Sequence, residues 1–140
     1  MAGYSWTPLP RKLGIKPGHR VAFPGAPDGF LATLGELPLD VSVVDGEGGG
    51  AVDVVVFFTT DQDALRAAFP RYGPAVAPAG ALWIAWPKRA SRVPTTVTEG
   101  RAREIGLAAG MVDVKVCAID DTWSGLKFVY RLKDRAALGE

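Results

Sequence analysis

Four short stretches carry residue types that could hold or transform a ligand. The first is the loop 24–28, Pro-Gly-Ala-Pro-Asp, which contains Gly25 and Ala26 and is followed by Gly29. Glycine lets a backbone approach a ligand closely. A pyrophosphate, however, needs bare N–H groups at a helix N-terminus. Pro27 has no N–H and Asp28 puts a negative charge there, which argues against nicotinamide and flavin dinucleotides. The alternative reading is a tight turn into a helix capped by Asp28. The second stretch is Asp45, at the end of an apolar run, where open α/β sheets place the acid that holds a ribose. Asp45 also precedes Gly46, and Asp-Gly is a common turn pair.

The third stretch is Trp86-Pro87-Lys88 with Arg89 and Ser91. An exposed aromatic beside a cation suits an aromatic or anionic ligand. Otherwise Trp86 is core and Lys88 is solvated. The fourth is Asp120-Asp121 with Trp123. Paired acids suit a metal or a general base, but neighbours in a tight turn seldom point together. A Lys88–Asp120 ion pair would account for both residues structurally.

Composition removes several classes. The chain has 140 residues, which fits one domain. Its formal net charge is +1, and Lys88, Arg89 and Arg92 form a local patch with no basic stripe, so no nucleic-acid partner is expected. The single cysteine, Cys117, excludes an intrachain disulfide or a CxxC site. With only His19 besides, a Cys/His zinc site is not expected. Cys117 lies in a strand and is expected to be buried. Residues 1–10 lack a basic start followed by an apolar run, so no signal peptide is expected. Apolar runs of about seven residues fall short of the roughly 20 that span a bilayer. No membrane partner and a cytoplasmic location follow as expectations.

These stretches need elements to position them. Residues 1–19 read as an arm, 20–133 as one domain and 134–140 as a polar tail. In the arm, Thr7-Pro8 should start a helical turn. Strands are expected at 20–23, 41–44, 52–58, 81–86, 112–119 and 124–132. The run Val52-Asp53-Val54-Val55-Val56-Phe57-Phe58 is nearly continuous in apolar β-formers, as a central parallel strand requires. Alternation predicts that Val112, Val114 and Val116 share one face of an edge strand, with Asp113 and Lys115 on the other. Helices are expected at about 29–35, from Asp61 to a stop at Pro70, and at 97–109 behind a Thr96/Glu99 capping box. Residues 46–50 form a glycine-rich loop.

Alternating strands and helices predict a three-layer α/β Rossmann-like domain with a mostly parallel sheet of about six strands. The last two strands are joined by a turn too short for a crossover, so they form an antiparallel hairpin. Strand 41–44 either reverses as a hairpin against 52–58 or runs parallel beside 20–23. Seven residues extend about 23–25 Å and a strand is about 17–20 Å long, so the parallel arrangement is within reach and is the one expected. Ligands in such sheets bind outside the carboxyl ends of the strands, where 24–28, 59–61, 86–91 and 120–123 should converge. His19 falls at the opposite end.

A parallel sheet ending in an antiparallel hairpin resembles the class I methyltransferase sheet. The stretch Pro17-Gly18-His19-Arg20-Val21-Ala22-Phe23-Pro24-Gly25-Ala26-Pro27-Asp28-Gly29 resembles its S-adenosylmethionine loop. By position, Phe23 stands where that family has an acid, and Pro27 where it has the middle glycine. The family also has helices and a strand inserted after the second strand, which this chain lacks. A closer similarity runs through nearly the whole chain: Tyr4-Ser5, Thr7-Pro8-Leu9, residues 12–18, Ala81-Leu82-Trp83-Ile84-Ala85-Trp86-Pro87-Lys88, residues 112–120 and Trp123-Ser124-Gly125-Leu126-Lys127-Phe128-Val129. It resembles an uncharacterised actinobacterial family with a domain of unknown function, from which Trp6 departs. The resemblance implies a methyltransferase-like fold and no particular activity.

Three functions are compatible with this. One is a Rossmann-like module that binds a small ligand or protein partner without catalysis. Another is a minimal S-adenosylmethionine-dependent methyltransferase. The third is a regulatory interaction domain that dimerises along its edge strand. Candidate ligand-binding residues are Gly25, Ala26, Asp45, Trp86, Lys88, Ser91, Asp120 and Trp123.

Overall fold

The computed structural model describes residues 7–46 and 51–138. Most of the glycine-rich loop and the Tyr4-Ser5 and Trp6 positions lie outside the described residues. Strands are β1 (Arg20–Ala22), β2 (Ser42–Val43), β3 (Val52–Phe58), β4 (Val76–Pro87), β5 (Met111–Ala118) and β6 (Trp123–Tyr130). Helices are α1 (Leu9–Lys12), α2 (Phe30–Leu34), α3 (Gln62–Tyr72), α4 (Glu99–Ala108) and α5 (Leu132–Leu138). The sheet order is β2-β1-β3-β4-β6-β5. β2, β1, β3 and β4 are parallel, and β6 runs antiparallel between β4 and β5. The parallel placement of β2 is therefore correct: Val21 pairs with Val43 on one side and Val54 on the other.

Pleating divides the core in two. Val55, Leu82, Ile84, Leu126 and Phe128 pack against Leu65, Phe69 and Tyr72 of α3 and Ala102 of α4. Val21, Val54, Val56, Phe58 and Trp83 pack against Leu13, Ile15, Phe30 and Leu34. The N-terminal segment thus joins the core. Leu13 is fully buried, and its carbonyl accepts the Trp83 Nε1–H at 3.1 Å.

Local chemistry moved several boundaries. Pro70 does not end α3, which continues to the buried Tyr72. One lost helical hydrogen bond in the last turn is offset by that anchor. Thr98, rather than Thr96, caps α4 and accepts the Arg101 N–H at 3.1 Å. Thr96 is already committed: its N–H donates to the Thr60 carbonyl, and its Oγ1 accepts the Gln62 N–H at 2.8 Å. The expected polar tail is helical through Leu138. In β5 the register slips between Asp113 and Lys115. This bulge breaks the strict alternation, so Asp113 opposite Phe128 and Val116 opposite Leu126 share the α4 face. Asp113 there accepts a hydrogen bond from Arg103 Nε at 2.9 Å, which holds its carboxyl below the usual range.

Gly106 sets the depth of α4. A Cβ there would lie 2.0 Å from Cε1 of Phe128, whose ring is fully buried edge-on against Phe69. Gly106→Ala gains about 1 kcal/mol of helix propensity. Overpacking costs about 1–3 kcal/mol, and more where nothing can yield. We expect a net loss of about 2 kcal/mol in urea unfolding. A midpoint at or above that of the native protein would show that α4 lifts freely off the sheet.

Candidate functional site

At the carboxyl ends of β1 and β2 lies a cleft of about 400 Å³. Phe23, Pro24, Ala26, Pro27, Phe30, Val43, Val44 and Asp45 line it. Of the sequence candidates, Ala26 and Asp45 meet here. The walls are mostly apolar, and Asp45 supplies a carboxylate at the exposed rim. Phe23 packs at 5.2 Å on Phe30, Phe30 at 4.8 Å on Phe58, and Phe58 at 5.2 Å edge-on to Trp123. Phe23 and Phe30 of this row line the cleft, and the row continues from Phe30 through Phe58 to Trp123. Phe30, Val43 and Val44 were legible only as apolar members of a helix and a strand. Nothing in their spacing distinguished a cleft wall from core.

The loop is held by the sheet. Phe58 N–H donates to the Pro24 carbonyl at 3.0 Å, and Ala26 N–H to the Phe23 carbonyl at 3.1 Å. Gly25 has φ +76°, and a Cβ on it would sit 2.5 Å from the Phe58 carbonyl oxygen. Its glycine is thus needed by packing against β3. Asp28 is not the cap of α2. Gly29 holds that position at φ +82°, without a side-chain cap.

The remaining candidates are divided by the sheet. Trp86 is 5% exposed and belongs to the α3–α4 core, which corrects the reading of an exposed aromatic platform. Its edge contributes to a second cleft of about 500 Å³, with Pro87, Arg89, Arg92, Thr98 and Glu99 among its lining. Arg92 adopts φ +62°, uncommon for a residue with a side chain. Lys88 is half-buried, and its N–H donates to the Thr122 carbonyl at 2.8 Å. Ser91 spends its hydroxyl within its own turn, donating to the Lys88 carbonyl at 2.7 Å and accepting from Val93 N–H at 3.2 Å.

Asp120 Oδ1 accepts from Thr122 N–H at 2.8 Å and Trp123 N–H at 2.7 Å. It shapes the β5–β6 turn, and among the described residues it forms no ion pair with Lys88. Among the described residues no group of three or more His, Cys, Asp or Glu converges. Lys88 and Trp123 do lie at the same end of the sheet, since Pro87 pairs with Trp123. The Trp123 ring packs with the aromatic row on the α1–α2 face, whereas Trp86 lies on the α4 face. Cys117, expected to be largely buried, is half-buried, and desolvation pushes its thiol up. No helix among the described residues is long and apolar enough to cross a membrane.

Comparison with solved structures places this architecture among methyltransferase-like Rossmann folds. A SAM-dependent methyltransferase from Aquifex aeolicus superposes with TM-score 0.63 at 16% identity, over 84% of this chain and 85% of that one. The DhpI–SAH complex matches with TM-score 0.62 at 14% identity, over 89% and 83%. A chain from Bordetella parapertussis described as a possible exported protein matches with TM-score 0.62 at 13% identity, over 87% and 65%. No protein-family model matches the sequence, and no curated protein does. At such identities the likeness establishes the fold, and one fold hosts many functions.

Proposed function

We propose that the chain is a ligand-binding module of methyltransferase fold that takes a nucleoside-like molecule in the β1–β2 cleft. The observation that carries this is the pairing of apolar cleft walls with Asp45 on the rim. A flat base fits between the aliphatic and aromatic walls, and the carboxylate accepts hydrogen bonds from ribose hydroxyls. The half of the site that would hold a charged methionine tail has Phe23 in place of an acid, and its ring is committed to Phe30. Binding is favoured over catalysis because Ser91 and Asp120 are engaged in their own turns. The resemblance to an actinobacterial family and a cytoplasmic location belong to the same proposal.

The test is isothermal titration with adenosine, S-adenosylmethionine and S-adenosylhomocysteine. All three should bind within about threefold of one another, with Kd near 0.1–1 mM. Asp45→Ala should weaken each about tenfold, the worth of one charge-assisted hydrogen bond. Absence of binding by a folded protein at millimolar nucleoside would refute the reading.

A minimal S-adenosylmethionine-dependent methyltransferase is the second reading, favoured by the Aquifex aeolicus and DhpI neighbours. A Kd for S-adenosylmethionine more than about thirtyfold below that for adenosine would establish it over the first. The β4-end cleft with Arg89 and Arg92 would then hold the methyl acceptor. Dimerisation along β5 is a separate proposal, resting on that strand's exposed Val114 and Val116 at the open edge.

A further inference from the structure

The other end of the strands has its own cavity, of about 330 Å³. It opens where β3 and β4 fall out of register. Val52 pairs with Val76 but Val54 with Ala81, so five steps of β4 face two of β3. The surplus residues of β4, Ala77, Ala79 and Gly80, line the hollow together with Gly14, Lys16 and His19 of the α1–β1 connection. Lys16, His19, Asp53 and Lys127 line it.

The charges in this hollow are unbalanced. Lys127 is half-buried in β6, opposite Trp83 on one side and Lys115 on the other. Like charges directly opposed across strands are destabilising. Burial holds the Lys127 ammonium below its ordinary range, and Lys115 and Lys16 push it the same way. Among the described residues no carboxylate pairs with it. Asp53 accepts the Arg20 N–H at 2.9 Å, and Lys115 Nζ donates to the Lys12 carbonyl at 3.3 Å. His19 Nδ1 accepts the Lys16 N–H at 3.1 Å, so the neutral ring carries its proton on Nε2.

We infer that this cavity binds a small phosphate-bearing anion, held by the ammonium groups of Lys127 and Lys16 and by the Nε2–H of His19. A dianion among these donors offsets the opposed lysine charges and replaces the water lost on burial. The volume suits a phosphate or a compact phosphomonoester, at the lower limit of small-molecule sites. A polyanion would need a basic stripe on the surface, and the chain has none. This site is independent of the nucleoside cleft, which lies at the carboxyl ends of β1 and β2.

Titration with inorganic phosphate at constant ionic strength tests it, with ribose 5-phosphate as a second probe. The native protein should bind phosphate with millimolar or tighter Kd. Lys127→Met keeps the aliphatic stem and should weaken binding about tenfold or more. Exposed Lys16→Ala should weaken it several-fold, and it decides the matter if Lys127→Met does not fold. Exposed Lys133→Ala should change nothing. Tighter binding of ribose 5-phosphate identifies a phosphomonoester, and equal binding identifies free phosphate. No binding at about 20 mM phosphate, or native affinity in Lys16→Ala and in folded Lys127→Met, overturns the inference.

Discussion

Val55→Asp is expected to leave no folded protein. Val55 is fully buried and lies in β3, paired with Ala22 of β1 and Leu82 of β4. Its side chain enters the core between the sheet and α3–α4, among Leu82, Leu65 and Phe69. An aspartate there finds no cation, and α3 closes off the water. Burying an unpaired carboxylate costs several kcal/mol even after its pKa rises. The lost valine contact adds about 1.5–3 kcal/mol. Together these approach the whole stability of a small domain, about 5–15 kcal/mol. Circular dichroism and gel filtration of the purified variant give the answer. A soluble monomer with native spectrum and melting temperature would show that β3 is not the centre of the sheet.

The position of β3 was legible because a strand covered on both faces must be apolar at nearly every residue, and 52–58 meets that condition at all but Asp53. The parallel course of β2 followed from a length argument alone. Features that depend on partners were not legible. The fourth strand was expected only from Ala81, since Pro78 and Gly80 are poor strand formers, yet β4 begins at Val76 through its pairing with Val52. The bulge in β5 moved Val116 to the α4 face. No local residue announces it, because it exists only in the pairing of β5 with β6. Thr96 and Thr98 are both good caps, and a long-range bond to Thr60 chose between them.

The placement of the candidate cleft was legible in outline. The rule that ligands meet the carboxyl ends of strands brought Ala26 and Asp45 to one cleft. It failed for Trp86 because strand parity decides which face a side chain takes, and parity at β4 places residues 82, 84 and 86 against α3 and α4. The amino-end cavity could not be foreseen. Lys16 and Lys127 are 111 positions apart, and only the register of β6 against β4 and β5 brings them together.

Gly25→Ala should destabilise far more than Gly29→Ala, although the two glycines share one loop and nearly one conformation. Both have positive φ, +76° and +82°. For an L-residue that conformation costs about 1–2 kcal/mol at either position. The surroundings differ. A Cβ at position 29 meets nothing within 4 Å, whereas one at position 25 meets the Phe58 carbonyl oxygen at 2.5 Å. That oxygen belongs to the end of β3 and cannot rotate away as a side chain would. The overlap adds about 1–3 kcal/mol, or else breaks the Phe58 N–H bond to Pro24 that anchors the loop. The expected totals are about 2–5 kcal/mol for Gly25→Ala against about 1–2 for Gly29→Ala. Urea denaturation of the two variants resolves a difference of this size. The comparison also guards the functional test. Gly25→Ala will lose nucleoside binding by displacing Ala26 and the wall of the cleft, whatever the glycine contacts, so Asp45→Ala is the variant that reports on the ligand. Equal stability of the two glycine variants would mean that the loop yields at position 25, and that its glycine serves a ligand's approach rather than the close contact with β3.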